Sequence, residues 1–515
     1  MLNLIDVIIR NQNGEILVEK LNLQIHNGDK IGIIGEEGNG KSTLLKAIVN
    51  PSWIQDYAGI EGKIIKSDKL KVGYFAQGLE AEWKSFQIYE YVLKHQPDDE
   101  ITQDQYNELQ DYMKEAKALR MDAELLNREQ AIGSASGGEK VKLRLLKMLH
   151  DHPDVLLLDE PTNDLDLDTL EWLEDFILQC DLPILFISHD DVLLSKCANR
   201  IVHIEQRNHR SKPVVTVANI GYQEYVESRG LSIQKEAQLA KKEKIEYKKQ
   251  KIKLNDFRNA VHDALNDTVR SPFYAARLAK RMSNLKAMDK RFDREGYRKV
   301  DTMEEAIDVF FEVDPLPHSK VILEYDFGDV EIGEQVLIKD VTLSIRGQDK
   351  LAIIGPNGCG KTVLMSLIYE QLKNREDIHI GYMPQDYAKA FVGCDSPIDY
   401  LAKSREKDEI TRCRDLLGRM KFNTEDMTRS CMELSEGQKA KLCLLRFIKE
   451  QCNVLLLDEP TRNLSPLSAP TIRKVLDEFP GCIISISHDR LFLGECVDQI
   501  YEVKDKSLCL TKDIF

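Results

Sequence analysis

The chain has 515 residues, 42% hydrophobic and 30% charged, which is enough for about three average domains and too apolar for a disordered segment. No apolar run approaches the roughly 18–20 residues that cross a bilayer. The first residues (MLNLIDVIIR) show no signal peptide, and eleven cysteines without CxxC spacing read as reduced thiols of a cytosolic protein. A net charge of −15 hides a strong asymmetry: residues 229–300 hold 20 Lys+Arg against 9 Asp+Glu, leaving −26 on the remainder, so a localised polyanion contact is expected.

In chain order, a turn-punctuated, strand-like stretch (NQNGEIL) comes first, predicting an antiparallel edge subdomain. The buried-strand pattern IGIIG then leads into GEEGNGKS, followed by the helical TLLKAIV. A GxxxxGK[S/T] loop between a strand and a helix curls its backbone N–H groups around phosphate oxygens. Its lysine binds the β- and γ-phosphates and its hydroxyl binds Mg²⁺. The expected contacts are Gly35, Glu36, Glu37, Gly38, Asn39, Gly40, Lys41, Ser42 and Thr43. Gln77 in VGYFAQ is a candidate sensor of the γ-phosphate and metal, and SGGEK begins at Ser136. VLLLDEPT ends a buried strand with two carboxylates, Asp159 for Mg²⁺ and Glu160 to polarise an attacking water. His189, after the strand-like ILFIS, is a candidate γ-phosphate partner.

The same series then recurs. GPNGCGKT supplies Gly355, Pro356, Asn357, Gly358, Cys359, Gly360, Lys361 and Thr362, with Val363 following. Gln385, Asp458, Glu459 and His488 repeat Gln77, Asp159, Glu160 and His189. Ser136, Glu160 and His189 all lie 299 residues before their partners Ser435, Glu459 and His488. A constant offset across three motifs marks a tandem duplication. The expected fold class is α/β: two P-loop domains with parallel sheets, at residues 1–228 and 319–515, joined by a linker at 229–318.

Within the linker, residues 232–265 contain no Gly or Pro and are rich in helix formers. Leu239, Ile245, Ile252 and Phe257 recur at loose helical spacing. Ser271-Pro272 reads as a second helix start, ending near Gly296. A basic antiparallel hairpin follows, its first helix roughly 50 Å long and its tip near 263–274. Lys248, Lys249, Lys251 and Lys253 suit phosphate contact. Arg270, Phe273 and Tyr274 at the tip suit stacking on unpaired RNA bases.

Together these motifs resemble the ATP-binding-cassette family, which adds the signature motif, here Ser136, Gly137, Gly138 and Glu139, and Ser435, Glu436, Gly437 and Gln438. The resemblance implies head-to-tail pairing of the cassettes. One ATP site would join Lys41, Gln77, Glu160 and His189 to Ser435–Gln438; the other would join Lys361, Gln385, Glu459 and His488 to Ser136–Glu139. Metal ligands would be Ser42, Gln77 and Asp159, and Thr362, Gln385 and Asp458, with Phe327 a candidate adenine stacker in copy two. The second copy departs from the pattern in Glu436 and in PTRNLSP, which lacks the Asp164 and Asp166 of PTNDLD. Equal hydrolysis at both sites is therefore an open question.

Two cassettes on one chain, a basic hairpin between them, and LSEGQ plus RNLSP in the second resemble the ABC-F proteins, most of all their antibiotic-resistance branch. That resemblance implies a cytoplasmic monomer with ATP and Mg²⁺ as cofactors and no membrane subunit. Its partner would be the ribosome, at large-subunit rRNA and tRNA near the exit-tRNA site, and its role protection against lincosamides, pleuromutilins and streptogramin A type drugs. A housekeeping translation factor of the same family and a tandem importer ATPase are the alternatives. A chromosome-structure ATPase fits less well, because its coil splits one cassette.

Overall fold

The computed structural model describes residues 2–163, 165–206, 212–267, 272–295, 311, 313–333, 335–387, 390–420, 422–462 and 464–511, with backbone alone at 212, 237, 265–267, 272–275, 292–293 and 295. The chain forms two compact units, Met1–Tyr222 with Ala306–Phe515, and Gln223–Glu305.

In the first cassette, β1 (Leu2–Asn11), β2 (Ile16–Ile25) and β4 (Ala58–Lys66) make an antiparallel sheet in the order β2-β1-β4. β3 (Lys30–Ile34), β5 (Val72–Phe75), β6 (Val155–Asp159), β7 (Ile184–Ile187), β8 (Arg200–Gln206) and β9 (Lys212–Ala218) form a second sheet ordered β5-β6-β7-β3-β8-β9. All neighbours there are parallel except β8 and β9. β3, β6 and β7 are buried at every position, which is why they read as continuous apolar runs rather than alternating ones. β3 lies between β7 and β8. The loop after β3 therefore opens at the carboxyl edge of the sheet, beside the ends of β6 and β7, where doubly wound sheets bind ligands.

The second cassette repeats the plan with two changes: among the described residues no strand corresponds to β4, and a single sheet holds all the strands. β10 (Val321–Ile332), β11 (Gln335–Arg346), β12 (Lys350–Ile354), β13 (Ile380–Met383), β14 (Val454–Asp458), β15 (Cys482–Ile486), β16 (Gln499–Lys504) and β17 (Ser507–Thr511) form one eight-stranded sheet ordered β10-β11-β17-β16-β12-β15-β14-β13. The antiparallel hairpin β10–β11 joins it at the pair Lys339–Ser507. The expected edge subdomain is thus present in both copies, separate in the first and fused to the main sheet in the second.

The linker unit has two helices, Tyr222–Asp267 and Pro272–Glu295, with Arg258 and Asp289 paired at 3.3 Å between them. The first helix begins ten residues before the expected Ser232 and runs on through Asn266, so its 46 residues span about 69 Å rather than 50 Å. Gly230 lies in open space within it. A single exposed helical glycine costs about 1 kcal/mol against alanine, too little to stop a helix this long. Leu239, Ile245, Ile252 and Phe257 are all exposed. Among the described residues no helix is long and apolar enough to cross a membrane.

Candidate functional site

Each glycine-rich loop turns into its helix, Lys41–Val49 or Lys361–Leu372, through a left-handed glycine, Gly40 at φ 84° and Gly360 at φ 104°. A Cβ there would come within 2.9 Å of Leu17 and 3.0 Å of Leu337, so both steric space and backbone geometry require glycine. Lys41 is buried and donates to the carbonyls of Gly35 (2.7 Å) and Glu36 (3.0 Å). Lys361 does the same to Gly355 (2.7 Å) and Pro356 (2.9 Å). Burial lowers the Lys41 ammonium from its ordinary range, with Glu160 opposing. Asn39 ties its loop to β8 through Ile204 O at 3.1 Å. Thr43 and Val363 follow, half-buried. These loops are cradles for an anionic phosphate.

The strand ends meet the cradles. Ser42 Oγ donates to Asp159 Oδ1 at 2.8 Å, and Tyr74 OH donates to Oδ2 at 3.1 Å. Burial raises the Asp159 carboxyl, opposed by the Ser42 bond, and Thr362 stands in the same relation to Asp458. Asp458 Oδ2 is buried without a hydrogen-bond partner. A buried carboxylate oxygen left so is costly unless a cation takes it. A hydroxyl beside a carboxylate is also the donor set with which Mg²⁺, keeping waters and substrate phosphates, is bound. Both pairs fit that ion.

Glu160 (φ 49°) and Glu459 (φ 57°) lie in the left-handed region, a strain of about 1–3 kcal/mol for a non-glycine residue. Backbone bonds from Glu160 N to Ile187 O (3.1 Å) and from Glu459 N to Ile486 O (2.9 Å) hold them there. The two carboxylates then differ. Glu160 Oε2 accepts from Gln77 Nε2 and Asn163 Nδ2, both at 2.7 Å, and Oε1 lies 3.4 Å from His189 Nε2. Burial works to raise its carboxyl, yet His189, Asn163 and Lys41 hold it down to about 2. At Glu459, Arg462 occupies the position equivalent to Asn163. The His488 N–H is 3.4 Å from Oε2, and His488 Nε2 is 3.8 Å from Oε1. Burial and the adjacent Asp458 push Glu459 up to about 8; burial and Lys361 push His488 down to about 3. Gln385, Asn357, Arg462, Glu459 and His488 line a 130 Å³ cavity together with His189 and Leu165 of the first cassette.

The cassettes meet at these sites. Ser435 caps the helix Glu436–Lys449 in a reciprocal bond pair with Gln438. The Glu436 N–H at the start of that helix donates to Glu37 Oε2 in the first glycine-rich loop at 2.8 Å. His189 Nδ1 lies 3.0 Å from Leu464 O of the second cassette. At the opposite junction Ser136 caps the helix Gly137–His150 with Glu139, which also accepts from Arg128 at 2.6 Å. Gly138 packs so tightly that a Cβ would fall 2.3 Å from Thr169 Oγ1. Both ring nitrogens of His488 are buried without a hydrogen-bond partner. Phe327 packs edge-on to Tyr325 at 4.7 Å against the core. Asp164, Arg270 and the side chains of Phe273 and Tyr274 lie outside the described residues.

Motif reading overlooked Asn163, Tyr74 and the Leu464 carbonyl. Asn163 stands three residues after Glu160 on the same turn, and this spacing was its available signal.

A family model described as ABC transporter matches residues 18–163 and 338–462. The chain is 26% identical to "ABC transporter F family member 5" of Arabidopsis thaliana, over 97% of this chain and 75% of that one. It is 28% identical to "Ribosome protection protein VmlR" of Bacillus subtilis (strain 168), over 93% and 82%. A solved "RNase-L Inhibitor" shares the fold, at 16% identity and TM-score 0.56 over 98% of this chain and 89% of that one. The matches fall on both copies of the glycine-rich loop and both LLLDE strand ends, whose geometry is described above; the chain belongs to the ABC transporter family, as a twin-cassette ATPase that binds ATP.

Proposed function

We propose that this chain is a cytoplasmic ABC-F-type ATPase whose ATP-bound form binds the ribosome and acts on translation, as a protection factor against lincosamide, pleuromutilin and streptogramin A type drugs. The observation that carries the reading is the bond from Glu436 N to Glu37 Oε2, which brings the signature helix of one cassette onto the phosphate loop of the other. Similarity over 97% of the chain to an F-family member and over 93% to a ribosome protection protein supports the cellular role. So does the 46-residue helix, which presents Lys248, Lys249 and Lys253 to solvent.

In this mechanism the amides of the glycine-rich loops and Lys41 or Lys361 bind the ATP phosphates, and Ser435–Gln438 or Ser136–Glu139 closes from the opposite cassette. Mg²⁺, held by Ser42, Gln77 and Asp159, or by Thr362, Gln385 and Asp458, would neutralise charge on the β- and γ-phosphates. Glu160, its carboxylate fixed by Gln77 and Asn163, orients the attacking water, as Glu459 does in the second site. His189 and His488 contact the γ-phosphate. Losing that phosphate removes the link between the cassettes and releases the protein from the ribosome. Residues 1–228 and 319–515 act as the motor. The linker, 229–318, carries the effector tip with Arg270, Phe273 and Tyr274.

A reconstituted translation assay inhibited by a lincosamide tests the reading. Restored synthesis with ATP and the wild-type chain, lost on changing Phe273 and Tyr274 to Ala at equal ATP turnover, is expected. Ribosome binding without any restoration would assign the chain to the housekeeping members of the same family.

A further inference from the structure

The 299-residue offset lets each interface residue be compared with its own counterpart. Glu174 corresponds to Arg473, Asp191 to Arg490, and Asp190 to Asp489. The local frames agree: Cys197 Sγ–H donates to Glu174 O at 3.8 Å, and its counterpart Cys496 donates to Arg473 O at 3.2 Å.

Two ion pairs cross between the cassettes. Arg490 donates to Glu174 and reaches Asp190 at 3.3 Å. Arg473 donates to Asp191 at 3.3 Å through both terminal nitrogens. In terms of counterparts these are one pairing made twice, position 174/473 against position 191/490, as a two-fold axis requires. The charges break that symmetry. In the first cassette both positions are acids; in the second both are arginines.

Burial makes the difference matter. The side chains of Arg473, Arg490 and Glu174 are only 4%, 6% and 4% exposed. Charges so placed are tolerated when paired and are strongly destabilising when left without a partner or set against a like charge. Pairing two first cassettes would bury four carboxylates together, and pairing two second cassettes would bury four guanidinium groups. Lys196, on Glu174 at 2.7 Å, and Glu495, on Arg473 at 2.9 Å, neutralise one side of each pair without removing the mismatch.

We propose that Glu174, Asp191, Arg473 and Arg490 form a charge-coded interface that specifies first-with-second cassette pairing and rejects pairing of like cassettes. The partner this surface of the first cassette fits is a cassette bearing arginine at both positions, which is the second half of the same chain. The code does not depend on what the ATPase acts upon.

The test uses the full chain in four variants. E174R/D191R leaves arginine at all four positions, and R473E/R490D leaves acids at all four. The quadruple variant E174R/D191R/R473E/R490D exchanges the signs. ATP turnover is one readout. The radius of gyration from solution scattering is the other, because it reports cassette separation without nucleotide. Each reversal should cost roughly tenfold or more in turnover and enlarge the particle, while the quadruple variant regains both. R473K/R490K, which keeps charge and loses the planar fork, should stay paired. A quadruple variant as defective as either double, a double that behaves as wild type, or a lysine variant as open as the reversals would overturn the proposal. Should a double variant fail to fold, the quadruple carries the same four substitutions in matched pairs and still decides.

Discussion

Replacing Glu160 by Gln leaves the side chain's shape intact and removes one charge, so it isolates the electrostatic part of the first site. Glu160 Oε2 now accepts from two amides at 2.7 Å. A glutamine can keep its single oxygen on Gln77 and Asn163, and its new NH₂ then faces His189, which lies 3.4 Å from Oε1. The fold should tolerate this, since the exchange deletes a buried charge and keeps both amide bonds. The water loses its anionic partner. Positioned acid–base groups contribute typically 10²–10⁴-fold, or about 2.7–5.4 kcal/mol of barrier. The assay is phosphate release at saturating ATP alongside equilibrium nucleotide binding, for Glu160→Gln and Glu459→Gln separately. Turnover should fall by that factor in Glu160→Gln with the Kd for ATP near wild type. The loss should be smaller in Glu459→Gln, because burial and Asp458 push that carboxyl up to about 8 and so leave it mostly neutral near pH 7. Wild-type turnover in Glu160→Gln, or a larger loss in Glu459→Gln, would refute this account of the two sites.

Three further outcomes are expected. Changing Lys248, Lys249, Lys251 and Lys253 to Gln should weaken ribosome binding and flatten the slope of log affinity against log salt by roughly 0.9 for each phosphate no longer neutralised; an unchanged slope in co-sedimentation would place the binding surface elsewhere. Ser42→Ala removes the hydroxyl that bonds Asp159, so the Mg²⁺ concentration giving half-maximal turnover should rise about tenfold or more, whereas an unchanged Mg²⁺ titration would contradict the ligand assignment. Burial pushes Asp191 up to about 6 from its ordinary 3.8, against Tyr222 and Arg473 and aided by Asp489. The folded chain therefore holds that proton more tightly, and this group's contribution to stability is full below about pH 4 and lost as pH rises through 6. Between pH 7 and pH 5 the wild type should gain about 1.4 kcal/mol over Asp191→Asn in chemical unfolding; parallel pH profiles would contradict it.

The fold was legible because its buried strands are apolar on both faces. VLLLD appears twice, and all five residues are buried in each copy. The motifs mark strand-to-helix turns where backbone geometry limits the choice of residue, as at Gly40 and Gly360. The start of the linker helix was obscured because Gly230 reads as a stop, although helical neighbours on both sides carry the chain through it. The inequivalence of the two glutamates was only half visible. PTRNLSP announced a change, but the consequence, an Arg462 where Asn163 bonds its glutamate, depends on how the turn folds back onto β6. The charge code was within reach of the 299-residue offset. It went unread because single charges on amphipathic helices look solvated until a second cassette covers them.

In the proposed mechanism ATP-driven pairing of the cassettes controls ribosome binding. This control is tested most directly by co-sedimenting the Glu160→Gln, Glu459→Gln double variant with ribosomes in ATP and in ADP. Near-stoichiometric retention with ATP and release with ADP are expected, with translation blocked by the retained protein. Equal recovery in the two nucleotides, or none in either, would contradict it.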